Sequence, residues 1–245
     1  MSGEASGAIR TIWLDNPPVN AISRGITDHL WSELEQLGDA RCVVLRGRGE
    51  KAFSAGADIG GFQATDSGEG DHPAGITPLA ELIESLPVPT VAAIHGYCLG
   101  GGLEVALACD LRIATPDAQF GFPEVKLGLL PGGGGTQRAP RLIGAGRAGG
   151  LIMSGERIPA EQAERWGLVE FVVDELEAGI EQIAGGLAGQ SPHAIRQIKS
   201  LLADTRERPD YEREFRAFVE CLQSEDGQEG VAAFMEKRQP RWTGR

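Results

Sequence analysis

Cysteine is scarce in this chain. Four occur in 245 residues, Cys42, Cys98, Cys109 and Cys221, with no CxxC spacing and three of them in apolar stretches. A disulfide framework finds no support there, and the thiols read as buried and reduced. Histidine is equally sparse, and His29, His72, His95 and His193 show no metal-ligand spacing, so no metal site is expected. His95, beside a glycine-rich block, reads as a partner for a backbone or turn hydrogen bond rather than as a base. Basic residues are outnumbered, 23 against 35 acidic, for a net charge of −12. Nucleic-acid binding needs basic surface to displace counterions from phosphates, so a general affinity of that kind is excluded. No stretch approaches the roughly 18 apolar residues of a membrane span, and "MSGEASGAIR" lacks the basic-then-apolar pattern of an export signal. A cytoplasmic protein without a membrane segment is expected. Nucleotide signatures are missing too: "PGGGGTQ" lacks a Gly-Lys-Ser/Thr ending, and the triple glycine of Gly100–Gly102 lacks GxGxxG spacing.

What is present suits a globular α/β protein. With 41% hydrophobic and 24% charged residues, the chain can bury one large core, or one core with a helical appendage. Ile9 to Leu14 reads as a strand closed by a turn at Asn16, Pro17 and Pro18. Ile26, Leu30, Trp31, Leu34 and Leu37 then share one helical face, with Gly38 placed to end the helix. "CVVLRG", "TVAAIHG", "LRIAT" and "AQFGF" read as short strands, and a helix is expected to open at Pro78. Beyond Pro159 the pattern turns mostly helical, with a short strand at "LVEFVV" and helices at Leu176–Leu187, Pro192–Asp204 and Tyr211–Arg238, the last broken near Ser224. Strands alternating with helices, followed by helices, describe an α/β core over residues 1–190 and a helical region over 191–245.

The stretch "GYCLGGGLEVALACD" places three glycines where a helix starts, although each glycine costs about 1 kcal/mol there relative to alanine. The first N–H groups of a helix lack intrahelical partners and carry partial positive charge, so an oxygen with negative charge is favoured at that point. A tight turn or close helix-to-strand packing would also explain the glycines. A second segment, "KAFSAGADIGG", follows a strand with small residues from Ser54 to Ala57, which leave backbone N–H groups unobstructed. Two such donors converging on one oxygen form an oxyanion hole.

Two glutamates stand out beside these segments. Glu104 lies two residues beyond Gly102 on the first helical turn, among Leu103, Val105, Ala106 and Leu107, a setting that implies partial burial and a raised pKa. Glu124 follows a proline in "FGFPEVKLG". Carboxyls in such settings exchange protons near neutral pH.

These residues make the chain resemble the crotonase superfamily, the enoyl-CoA hydratase and isomerase group. The pieces "NPPVNAIS", "AFSAGADI", "IHGYCLGGGLEVALACDLRIA", "AQFGFPEVKLGLLPGGGGTQR", "SPHAIRQIK" and "SEDGQEGVAAFMEKRQP" run in the family's order over almost the whole chain. The resemblance implies an α/β, crotonase-like spiral of ββα repeats with a C-terminal helical trimerisation region, assembling as a homotrimer or a dimer of trimers. It assigns the oxyanion-hole N–H groups to Ala57 and Gly101, and the catalytic acids to Glu104 and Glu124, 20 residues apart as in the hydratases. It gives Gly132 a water-positioning N–H and places Ala55, Gly56, Asp58 and Ile59 along the substrate. Coenzyme A enters as part of an acyl-CoA thioester substrate, with no separate cofactor and no metal.

The implied reaction is syn hydration of a trans-2-enoyl-CoA to a 3-hydroxyacyl-CoA. Double-bond isomerisation with Glu124 as proton shuttle is the alternative on the same scaffold, and a non-catalytic acyl-CoA-binding role is the alternative outside enzymes. Val19 replaces the family's usual leucine, and Pro18 stands where many relatives carry a basic or polar residue, which leaves the CoA phosphates without an assigned partner; Lys51 and Arg24 are nearby. The segment Gly60–Thr77 is polar and glycine-rich, so acyl length is not readable from it.

Overall fold

The computed structural model describes residues 8–58, 75–204, 218–221 and 223–245. A five-stranded parallel sheet carries β1 (Ile9–Leu14), β2 (Cys42–Gly47), β4 (Thr90–Ile94), β6 (Leu111–Ala114) and β9 (Phe171–Val172), in the order β1-β2-β4-β6-β9. Its central strands are apolar on both faces, as a sheet covered on both sides requires. Val43, Leu45, Ala92 and Ile94 face one core with α1 (Arg24–Glu35). Cys42, Val44, Val91, Ala93 and Ile113 face another, closed by Leu176, Ile180 and Ala184 of α7 (Leu176–Ala188).

A second sheet, absent from the sequence reading as a separate layer, holds β3 (Ala52–Ser54), β5 (Tyr97–Leu99), β7 (Gln119–Gly121) and β8 (Arg157–Pro159) in that order. The first three are parallel and β8 closes the edge antiparallel. Three long-sheet strands, β2, β4 and β6, continue into a short-sheet strand, and the first two then into a helix: β2, β3, then α2 (Ile76–Ser85); β4, β5, then α3 (Gly101–Ala108). This is the ββα spiral that the resemblance implies. The strands of the short sheet have only three residues each, too few for a period to show in the sequence.

After β7 come a 3-10 turn (Pro123–Leu127), α4 (Gly135–Ile143), α5 (Ala145–Ser154) and α6 (Ala160–Trp166). The helix expected to open at Pro78 begins earlier, at Ile76, which puts Pro78 in the first turn, where a missing N–H removes no intrahelical bond. Towards the C-terminus lie α8 (Pro192–Asp204) and α9 (Glu225–Glu236). The break near Ser224 falls where expected, and the Ser224 hydroxyl caps α9 by accepting the Gly227 N–H at 2.9 Å. The first part of the expected Tyr211–Arg238 helix, residues 211–217, lies outside the described residues. Cys42, Cys98 and Cys109 are buried, and all four cysteines are free. Among the described residues no helix is long and apolar enough to cross a membrane.

Candidate active site

The segment after β3 is held by the turn that "NPPVNAIS" forms. Asn20 is fully buried in the left-handed region (φ 54°), and its Nδ2 donates to the carbonyls of Arg48 at 2.9 Å and Ala52 at 2.8 Å. The Ala55 N–H then donates to Val19 O (2.9 Å), the Ile22 N–H to Gly56 O (2.8 Å) and the Asp58 N–H to Ile22 O (3.0 Å). Ala57 is therefore bracketed by the parallel bridge to Ile22, and its own N–H points to the opposite side.

That side is the start of α3. Gly100 adopts φ 51° and ψ −128°, a conformation that disfavours a side chain, and its N–H is tied to Gly121 O at 2.9 Å. A Cβ on Gly101 would lie 3.4 Å from the Ala57 nitrogen, so the two segments meet at backbone contact. Among the described residues neither the Ala57 nor the Gly101 N–H has a hydrogen-bond acceptor. Gly102 allows α3 to press against β3, because a Cβ there would come 2.6 Å from Ser54 O. The glycine run thus serves close packing and the exposure of a backbone donor together.

All eight residues of α3 are buried, Glu104 among them at 2% exposure. Its Oε1 accepts the N–H groups of Gly133 and Gly135, each at 2.8 Å. Oε2 carries no protein donor among the described residues. Burial pushes the Glu104 pKa above the ordinary carboxylate value, against the opposing pull of the Gly135 and Gly133 amides and the Arg138 charge. Glu124 sits in the 3-10 turn, half-buried, with Pro123 pre-setting the first position. Its Oε2 is buried without a hydrogen-bond partner among the described residues. Burial raises its pKa, its own backbone N–H lowers it, and the nearby Glu104 carboxyl raises it further. Neighbouring carboxyls of this kind titrate as a pair, and here the Glu104 charge favours the protonated form of Glu124.

The sequence-predicted residues Glu104, Glu124, Ala57, Gly101 and Gly56 therefore come together. Ala55 is half-buried on the same strand exit, Asp58 is exposed, and Ile59 lies outside the described residues. Gly132 stands at the head of the glycine loop, its carbonyl accepting the Thr77 hydroxyl at 2.9 Å, while the amides that meet Glu104 are those of Gly133 and Gly135. Sequence reasoning missed these two because four successive glycines carry no mark of register. It also missed Arg138, whose Nη1 donates to Gly133 O (2.8 Å) and whose Nε and Nη2 grip both Glu84 carboxylate oxygens at 2.9 and 2.8 Å. Ile76, packed between Gly101 and Gly133, was hidden in a polar stretch. Among the described residues no three His, Cys, Asp or Glu side chains cluster as a metal site.

Two unengaged amides beside a pair of acids with raised pKa define a site that can stabilise charge on an oxygen and move protons next to it. The chain matches the family described as Enoyl-CoA hydratase/isomerase over residues 4–245. It belongs to that family. It is 39% identical to a "Probable enoyl-CoA hydratase" of Bacillus subtilis, over 96% of this chain and 95% of that protein. It is 36% identical to a carnitinyl-CoA dehydratase of Escherichia coli, over 98% and 97%. The crystal structure of an enoyl-CoA hydratase from Bacillus anthracis superposes with a TM-score of 0.91 at 39% identity, covering 97% of this chain and 96% of that one.

Proposed function

We propose that this protein is an enoyl-CoA hydratase, adding water in syn fashion to a trans-2-enoyl-CoA to give a 3-hydroxyacyl-CoA. The observation that carries the reading is the Glu104 carboxyl, with one oxygen fixed by two amides and the other without a donor among the described residues, beside Glu124 and next to the Ala57 and Gly101 amides. The amides of Ala57 and Gly101 bind the thioester oxygen as it gains enolate character. Glu104 and Glu124 hold one water between them. Its oxygen bonds to the β-carbon, one acid takes its proton, and a proton is delivered to the α-carbon, with Glu124 in that last role. The Gly132 N–H helps to place the water, and Ala55, Gly56, Asp58 and Ile59 line the substrate. Coenzyme A is part of that substrate, and no further cofactor or metal takes part. The helices from residue 191 onward serve assembly as a homotrimer or a dimer of trimers.

Steady-state assay with crotonyl-CoA tests the reading. Loss of the enoyl absorbance, reduced by about 10²- to 10⁴-fold in both Glu104→Gln and Glu124→Gln, is the expected result. The unpartnered Oε2 of Glu124 also suits a proton shuttle. No hydration, with migration of the double bond in a 3-enoyl-CoA that depends on Glu124, would establish isomerisation instead. Thioester binding that survives both substitutions, with no turnover in the wild type, would establish a binding protein.

A further inference from the structure

Glu104 is held by a loop that cannot hold itself. Gly132 to Gly135 carry no side chains, so their backbone angles must be fixed from outside. One peptide unit in that loop is bonded on both sides. The carbonyl of Gly132 and the N–H of Gly133 belong to the same planar trans group and point in opposite directions. The carbonyl accepts the Thr77 hydroxyl at 2.9 Å and the N–H donates to Glu104 Oε1 at 2.8 Å. The next carbonyl, that of Gly133, is taken by Arg138, which is clamped in turn to Glu84. Thr77 and Glu84 both lie on α2, at opposite ends of that helix. One helix thus grips two successive peptides of the glycine loop.

We propose that Thr77 is a positioning residue for Glu104, acting through the Gly132–Gly133 peptide unit. Donation to a peptide carbonyl strengthens the N–H on the far side of the same group as a donor, and it also stops the peptide from rotating. A fixed, polarised N–H favours the carboxylate form of Glu104 and aims its free oxygen. The charged groups that face Glu104 are Glu124, from the 3-10 turn, and Arg138, from α4 and neutralised by Glu84 of α2. None of them is altered when the Thr77 hydroxyl is removed. Thr77 is exposed, so its replacement leaves the core untouched.

The activity readout rests on the hydratase reading, so a second readout is independent of turnover. Thr77→Val removes the hydroxyl at constant shape and Thr77→Ser keeps it. The expected result is a three- to tenfold lower kcat for crotonyl-CoA hydration in Thr77→Val, on the order of one lost hydrogen bond. KM should change less than about twofold. A weaker and less fixed Gly133 N–H stabilises the carboxylate less and raises the Glu104 pKa further, so the acid limb of the kcat–pH profile moves to higher pH, and Thr77→Ser restores both. Carbon-13 NMR titration of labelled glutamates, with Glu104 assigned by its absence in Glu104→Gln, should show the same upward shift without substrate. If the wild type hydrates crotonyl-CoA but Thr77→Val keeps its kcat and acid limb, the proposal is overturned. An unchanged Glu104 titration overturns it also. A wild type without hydration sinks the hydratase reading alone and leaves the titration to decide the role of Thr77.

Discussion

Glu124 stands directly over Gly100: a methyl group on that glycine would lie 2.7 Å from the Glu124 Oε1 and 3.3 Å from its Cδ. The same glycine has φ 51°, so two separate constraints exclude a side chain. Gly100→Ala is expected to push the acid out of place and lower kcat for crotonyl-CoA hydration by at least about tenfold. The strain of a side chain at this positive φ should cost about 1–3 kcal/mol of stability, read as a lower thermal midpoint. A Gly100→Ala enzyme with unchanged kcat would mean that Glu124 needs no fixed seat.

Burial of Glu104 has a consequence for stability. Its folded pKa is raised above that of the unfolded chain, so between those two values the native state binds more protons than the unfolded state. Its contribution is then fully present below the unfolded pKa and is lost as pH rises through the raised value. Glu104→Gln keeps an oxygen for the Gly133 and Gly135 amides but cannot ionise. The variant is expected to be inactive yet at least as heat-stable as the wild type at neutral pH, with the difference shrinking towards acid. Thermal melts across pH 4 to 8 check the sign; a variant that loses stability most at neutral pH would contradict it.

Arg112 is buried at 2% exposure, with its guanidinium paired to Glu170 and bonded to the Leu168 and Cys109 carbonyls, both at 2.9 Å. Removing its carboxylate leaves a charge in the core without a counter-ion. Glu170→Ala is expected to cost about 3–5 kcal/mol, measured by urea unfolding. Arg112→Met with Glu170→Leu should recover much of that loss. Equal losses in the single and double variants would show that packing, not charge, is responsible.

Lys199 joins α8 to the core. Its Nζ donates to Val88 O at 3.0 Å and to the Asp110 carboxylate, which also receives the Thr90 N–H at 2.8 Å. Lys199→Met should loosen α8 without touching the glutamates. Faster amide hydrogen exchange confined to residues 192–204, with kcat changed less than about twofold, is the expected pattern. Exchange at wild-type rates would mean that the other contacts of α8, among them those of Arg196 with Gly244 and Gln197 with Glu220, hold the helix without Lys199.

Several elements were readable because one physical signal dominates each of them. β1 and β2 carry the run lengths of strands buried on at least one face, and α8 carries the period of a helix with one apolar side. The acids were readable because Glu104 sits in a wholly apolar helix and Glu124 behind a proline. The grips on the glycine loop were not readable. Gly132–Gly135 are alike as letters, and which amide faces Glu104 depends on a chain reversal that neighbouring helices impose. Arg138, Glu84 and Thr77 look like ordinary surface residues, since nothing local in their segments shows that they meet.

The amino-acid order alone determined the alternation of strand and helix, the two small-residue segments that can offer bare amides, and the unusual settings of Glu104 in an apolar helix and Glu124 behind a proline. Those follow from local preferences and short-range spacing, which the chain carries wherever it is folded. Only the tertiary structure decided that Ala57 and Gly101 meet, that Glu104 binds Gly133 and Gly135, and that α2 holds the loop between them. Each of these contacts joins segments tens of residues apart, and such distances close only when the two sheets and their helices pack into one core.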